Sequence, residues 1–198
     1  DCSLQRQRQK IVEIAPAPQM HPALRARLLQ AALALAEAAS LTSLATVEFV
    51  VAGDPSDADA RFAFIECNPR IQVEHTITEE ICGLDLVELQ LQIARGNKLA
   101  DLGLAQPPAT RGCAIQLRVN LETMQPDGHA FPAHGTLSDY EPPGGRGVRV
   151  DGYGYTGYTT NAAFDSLLAK LIVYAPSGGF EQALAKARTA LADFALTG

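Results

Sequence analysis

One stretch of twelve residues, Phe64-Ile-Glu-Cys-Asn-Pro-Arg-Ile-Gln-Val-Glu-His75, constrains the fold more than any other. Phe64, Glu66 and Asn68 share parity, so as a strand the segment projects Glu66 and Asn68 from one face. Pro69 then removes a backbone donor and stiffens the loop that follows. A carboxylate beside an amide oxygen is a hard-oxygen donor set, suited to a Mg²⁺ ion that also touches phosphates. Arg70-Ile-Gln-Val-Glu74 sets an anion clamp next to a candidate base. Upstream, Thr46–Val51 alternates as a strand, with Glu48 on one face and Val47, Phe49 and Val51 on the other. Asp54-Pro-Ser-Asp57 is a turn, and Arg61–Cys67 is the second strand of a hairpin over 46–67 that ends in the polar cluster.

The chain has 198 residues and is 47% hydrophobic, enough for one large or two small cores. Its net charge of -6, with no run of Lys or Arg, argues against nucleic-acid binding. Cys2, Cys67, Cys82 and Cys113 are scattered and form no Cys-x-x-Cys pair, so neither zinc nor a disulfide framework is signalled. Reduced thiols and a cytoplasmic location are expected. No apolar run approaches the roughly 20 residues of a membrane span, and no signal peptide is visible. The polar start without Met, and an end just past a helical pattern, suggest a piece of something longer.

Elsewhere, residues 1–15 are polar and Ala15-Pro-Ala-Pro18 breaks the backbone. Pro22 suits a first helical turn, and Leu24, Leu28, Ala31, Leu35 and Ala39 recur at helical spacing up to Ser40. Thr76–Ile81 reads as a short helix ended by Gly83. Asp85, with Glu88 three residues on, opens another that Gly96 stops. The aperiodic segment 100–111, with Pro107-Pro108, is the candidate boundary between domains at 1–106 and 107–198. Beyond it, Cys113–Leu121 places Ile115, Leu117 and Val119 inward and Gln116, Arg118 and Asn120 on the opposite face. Glu141-Pro-Pro-Gly-Gly145 is a loop, Leu167–Tyr174 a buried strand, and Phe180, Leu184, Ala187, Leu191 and Phe194 mark a final amphipathic helix.

Taken in order, these motifs resemble the biotin carboxylase family, a branch of the ATP-grasp enzymes. The matching pieces are Asp1-Cys-Ser-Leu-Gln-Arg6 with Gln9-Lys10, Glu13 through Pro18, Val47-Glu-Phe49, and Phe64–His75 with Thr78-Glu79. They continue with Ala114-Ile-Gln-Leu-Arg-Val-Asn120, Pro143-Gly-Gly145 with Gly147-Val-Arg149, and Asp165-Ser-Leu-Leu168 with Lys170. The string Arg70-Ile-Gln-Val-Glu-His75 is the most specific, and Arg149-Val-Asp-Gly-Tyr153 resembles fused acyl-CoA or pyruvate carboxylases. The resemblance implies an α+β chain: the C-terminal half of an ATP-grasp core, an antiparallel sheet with helices, followed by the biotin carboxylase C-terminal α/β subdomain. It also implies that the N-terminal domain, the glycine-rich lid, the biotin carrier and the carboxyltransferase lie elsewhere, and that this piece is inactive alone.

The same resemblance implies the chemistry. ATP phosphorylates bicarbonate to carboxyphosphate, and the CO₂ unit passes to the ureido nitrogen of biotin on a carrier domain. Mg²⁺ (or Mn²⁺) is implied at Glu48, Glu66 and Asn68. Bicarbonate contacts are implied for Lys10, Arg70, Gln72, the backbone of Val73, and Glu74, with Glu74 as general base. Nucleotide contacts fall to Gln5, Arg8, Val50 and Ile65. Arg118 is implied to stabilise the biotin enolate, with Asp165 expected to orient it. Arg8 and Pro69 depart from the frequent family choices of His and Thr, and Gln7 and Leu117 also differ. A homodimer is among the expected assemblies, and neither nucleic acid nor membrane is an expected partner.

Plainer readings stand beside these. Glu48 and Glu66 could be solvated residues of a hairpin face. Arg70 could make a surface ion pair worth at most about 1 kcal/mol. His75 is expected to be a structural hydrogen-bonder. Two alternative functions are another ATP-grasp ligase, such as a carbamoyl-phosphate synthase, and a non-catalytic scaffold or dimerisation module. The first lacks a reason for the Arg118 strand. The second would bury a charged constellation at a cost with no ligand to offset it.

Overall fold

The computed structural model describes residues 1–161, 163 and 165–198. The chain folds as two compact units, one of residues 1–16 with 111–198 and one of residues 17–110. The expected α+β character is borne out: helices pack beside sheets whose strand pairs are antiparallel.

The unit of residues 17–110 begins with helix α1 (Pro22–Ala38). Pro22 occupies its first turn as expected, and His21 Nδ1 accepts from the Ala23 N–H at 3.1 Å. Leu24 is fully buried, but Leu35, expected on the same stripe, is 38% exposed, and Leu29 and Leu33 are more exposed still. Strands β3 (Thr46–Ala52) and β4 (Arg61–Asn68) form the predicted hairpin. Phe49 meets Phe62 and Phe64 edge to face, at 5.4 and 6.3 Å between ring centroids, geometry worth roughly 0.5–1.5 kcal/mol per pair. Arg27 of α1 stands 5.3 Å from the Phe62 ring and donates to the carbonyls of Ala58 and Ala60, which fixes the helix to the hairpin. Helix α2 (His75–Cys82) ends at left-handed Gly83, and α3 (Leu86–Ala94) is capped by Asp85, whose Oδ1 accepts from Glu88 N–H at 2.8 Å. A second acid, buried Glu79, accepts from Leu86 N–H at 2.9 Å and joins the two helices.

The other unit is built on a five-stranded sheet of β1 (Leu4–Arg6), β2 (Gln9–Ala15), β5 (Cys113–Asn120), β9 (Val148–Gly152) and β10 (Leu167–Ala175), in the order β1-β2-β5-β10-β9. Small hairpin strands β6 (Glu122–Met124) and β7 (Ala130–Pro132) pair with each other, and β8 (Asp139–Glu141) pairs with β11 (Ala195–Thr197). Helix α4 (Gly179–Ala192) covers one sheet face. The core there joins Ile14, Ile115, Leu171 and Val173 to Ala183, Ala187 and Ala190, each buried Ile, Leu or Val contributing about 1.5–3 kcal/mol. The buried stripe of α4 therefore runs along small alanines. Leu191, expected inward, lies about 100° around from Ala190 and is 50% exposed.

The N-terminal polar segment belongs to this sheet. Its residues 4–15 supply an edge strand and an interior strand to this sheet, joined by the two-residue turn Gln7-Arg8. Both turn residues have positive φ (49° and 68°), as a type I′ hairpin requires.

Candidate functional site

In the β3–β4 hairpin, Glu48 and Glu66 are direct cross-strand partners, and Thr46 faces Asn68. Glu66 Oε1 accepts from Asn68 Nδ2 at 2.7 Å, so the expected Glu66/Asn68 face exists. The parity argument fails one residue earlier. The register passes from Glu48↔Glu66 to Phe49↔Phe64, which leaves Ile65 as the extra residue of a β-bulge. Phe64 therefore joins the Phe49 ring cluster on the face opposite Glu66, although the two share parity. Two like charges directly opposite on a ladder destabilise it, and here the pair stands at the polar end of the hairpin. This donor set of two carboxylates and an amide fits a Mg²⁺ ion that takes its remaining ligands from phosphates and water. Among the described residues no cluster of three or more His, Cys, Asp or Glu could hold an ion without such help.

The loop after Asn68 turns at once: Arg70 N–H donates to Asn68 C=O at 2.8 Å, and the exposed Arg70 guanidinium donates to Ile71 C=O at 3.1 Å. Gln72 Oε1 is buried without a hydrogen-bond partner. Such an orphaned acceptor is uncommon in a folded protein. Glu74 is the N-cap residue of α2, with Val73 immediately before it. His75 has the structural surroundings expected of it. Its Nδ1 lies 2.8 Å from Gln72 C=O and its Nε2 3.9 Å from Glu79. Val50 and Ile65 present exposed apolar surface, at 53% and 55%.

In the other unit a second bulge re-aims a side chain. β1 pairs Leu4 with Val12 but Gln5 with Lys10, leaving Ile11 as the extra residue. Neighbours Leu4 and Gln5 point to opposite faces, so Lys10 lies on the face opposite Val12. Val12 and Ile14 pack under α4. Lys10 and Gln5 thus share the far face with Glu13, Gln116 and Arg118. Gln5 donates to Cys2 C=O at 2.9 Å, and Arg8 is exposed on the hairpin turn.

That far face holds a row of charge across four strands. Glu13 pairs with Gln116, Arg118 with Lys170, and Lys170 with Asp151. Glu13 is completely buried. Its Oε2 accepts from Gln116 Nε2 at 2.7 Å, its Oε1 accepts from Arg118 Nε at 2.6 Å, and Arg118 Nη2 forms a short ion pair with the same oxygen. Asp151 accepts two bonds from Arg149, at 2.8 and 2.9 Å, and lies 3.5 Å from Lys170 Nζ. Burial opposes ionisation of Asp151, but the bonds and charge of Arg149, with Lys170 behind, outweigh it and hold the carboxyl below the usual range. Asp165, expected to orient Arg118, accepts from the Leu167 N–H at 3.0 Å; the carboxylate on the guanidinium is Glu13.

Glu13 is the residue that sequence reasoning overlooked as a participant. Its signal is an acid inside the apolar run Ile11-Val-Glu-Ile-Ala15, since a buried carboxylate demands a partner.

Two family models match the chain. The model described as carbamoyl-phosphate synthase L chain, ATP binding domain, covers residues 1–102, and that of the biotin carboxylase C-terminal domain covers residues 116–198. The chain belongs to the biotin carboxylase family. A biotin carboxylase of Nostoc sp. is 42% identical over 199 residues, with all of this chain and 42% of the relative covered. A single-chain, multi-domain long-chain acyl-CoA carboxylase superposes with a TM-score of 0.92 at 48% identity, covering 100% of this chain and 21% of that one. The biotin carboxylase domain dimer of the Hydrogenobacter thermophilus 2-oxoglutarate carboxylase, solved with MgADP and bicarbonate, superposes with a TM-score of 0.85 at 37% identity, covering 100% and 41%. The chain thus spans less than half the length of these biotin carboxylase relatives. All four cysteines are free thiols, and burial pushes those of Cys82 and Cys113 up. No helix among the described residues is long and apolar enough to cross a membrane.

Proposed function

We propose that the protein carboxylates biotin on a carrier domain, using ATP and bicarbonate through carboxyphosphate, within a biotin-dependent carboxylase. One observation carries this reading: Glu48 and Glu66 face each other across a ladder beside Asn68, a placement of like charges that a divalent cation shared with phosphates would relieve. These three residues would hold Mg²⁺ (or Mn²⁺), which neutralises phosphate charge as the terminal group transfers.

The bicarbonate residues are Lys10, Arg70, Gln72, Val73 and Glu74. The cations attract the anion, the orphaned Gln72 oxygen can accept its single O–H as it docks, and Glu74 then takes that proton, making the oxygen nucleophilic. Gln5, Arg8, Val50 and Ile65 are the nucleotide residues, the last two offering apolar surface to a flat base. Arg118 stabilises negative charge on the ureido oxygen as the biotin nitrogen loses its proton. On this reading residues 1–106 are the second half of the ATP-binding domain and 107–198 the C-terminal subdomain, with strands β1 and β2 lent by the first to the sheet of the second. Its partners are the carrier and carboxyltransferase domains, the remainder of the biotin carboxylase domain, and a second copy in a homodimer, all in the cytoplasm.

The test is ADP release by the intact protein with Mg²⁺. Release that requires bicarbonate and rises with biotin is expected. Release indifferent to biotin would move the assignment to a carbamoyl-phosphate-type ligase, and no release to a scaffold.

A further inference from the structure

We propose that Glu13 is a positioning residue that sets the orientation of Arg118 for carboxyl transfer; the proposal rests on the enolate role assigned to Arg118 above. The geometry divides the work between the two carboxylate oxygens. Oε2 takes the Gln116 amide, which fixes the carboxylate plane across the β2–β5 ladder. Oε1 takes both Nε and Nη2 of Arg118, the two nitrogens along one edge of the guanidinium. A guanidinium gripped along that edge cannot turn about its last torsion, so the directions of its other N–H bonds are set before substrate arrives.

Charge gives the second argument. Arg118 sits directly across the ladder from Lys170, and like charges so placed repel. The order across the strands is Glu13, Arg118, Lys170, Asp151: two cations between two anions. Glu13, with none of its surface exposed, is the counter-charge on the Arg118 side. Its removal would take away the carboxylate that offsets the repulsion of Lys170 and fixes the guanidinium edge, letting the group shift from the position where developing charge must be met. A guanidinium displaced by an ångström loses most of its advantage in the transition state while still binding anions in general. The loss should therefore fall on biotin and spare the earlier half-reaction.

The experiment uses the intact protein and four forms: Glu13→Gln, Arg118→Ala, their combination, and the swap Glu13→Gln with Gln116→Glu. Bicarbonate-dependent ATP cleavage without biotin and carboxylation of free biotin are measured separately. Glu13→Gln is expected to lower kcat for biotin carboxylation roughly 10- to 100-fold, the usual effect of removing a supporting partner. ATP cleavage and KM for ATP should change less than about twofold. The combined variant should be no slower than Arg118→Ala alone, because both changes act through one group. The swap returns a carboxylate to the same face, two residues from Arg118, and should recover much of the rate; it also carries the test if Glu13→Gln does not fold. Additive losses, an equal fall in both half-reactions, or a folded swap that stays as slow as Arg118→Ala would overturn the proposal. If Arg118→Ala itself leaves biotin carboxylation intact, the role of Arg118 fails first; if only Glu13→Gln is silent, the positioning role alone is lost.

Discussion

Single side chains in this molecule are defined by what faces them. Glu74 stands at the start of α2, just past the loop that carries Arg70 and Gln72. In the base role proposed for it, it should tolerate no neutral substitute. Glu74→Gln is expected to lower turnover by at least about 100-fold with unchanged nucleotide affinity, checked by kinetics and by titration with ADP. Asp151 gives a pH prediction. Its carboxyl is held below the usual range in the folded state by Arg149 and Lys170, with burial opposing. A depressed carboxylate contributes stability that is fully present above the unfolded value, about 3.9, and lost as pH falls through the folded value. The pair is partly exposed, so the contribution is about 1 kcal/mol at most. Urea denaturation should show Asp151→Asn less stable than the parent at pH 7, with the gap closing below about pH 4. A gap that persists at low pH would mean lost packing rather than lost charge.

At the scale of elements, what could be read in the sequence followed from periodicity and caps. Helices α2 and α3 are announced by Gly83, Asp85 and Glu88, and the hairpin of β3 and β4 by alternation around Asp54-Pro-Ser-Asp57. Strands β1 and β2 were hidden. Their apolar and polar residues lose step at Ile11, the turn Gln7-Arg8 lacks the usual Asn or Gly, and the interior strand carries buried Glu13. None of these looks like a strand until the partner strand is known. The same holds for α4, whose buried face uses alanines in place of the larger residues the pattern favoured. Close approach also decides Gly147, which takes a left-handed φ of 72° against the carbonyl of Tyr174 and the ammonium of Lys186. Lys186 donates there to the carbonyls of Arg146 and Tyr174. Gly147→Ala should cost about 1–3 kcal/mol from backbone strain alone, measured as a lower Tm, and more if Lys186 is displaced.

For the whole molecule, the sequence carried the residue types of the candidate site further than their placement. Glu48, Glu66 and Asn68 could be grouped by parity, and Arg118 could be set on the polar face of its strand. That Lys10 shares a sheet face with Arg118, and that Glu13 grips it, depends on pairing between residues about a hundred positions apart. The chain spans less than half of its biotin carboxylase relatives. The bulges at Ile11 and Ile65 have a further consequence. Each acts as a half-period phase shifter in the side-chain wave of its strand. Deleting either isoleucine would keep every candidate charged and amide ligand in the chain while sending Lys10, or Glu66 and Asn68, to the wrong side. The loss of one apolar residue that offers no charge would then be as damaging as losing a ligand, and compensating it would take a second indel, not a substitution.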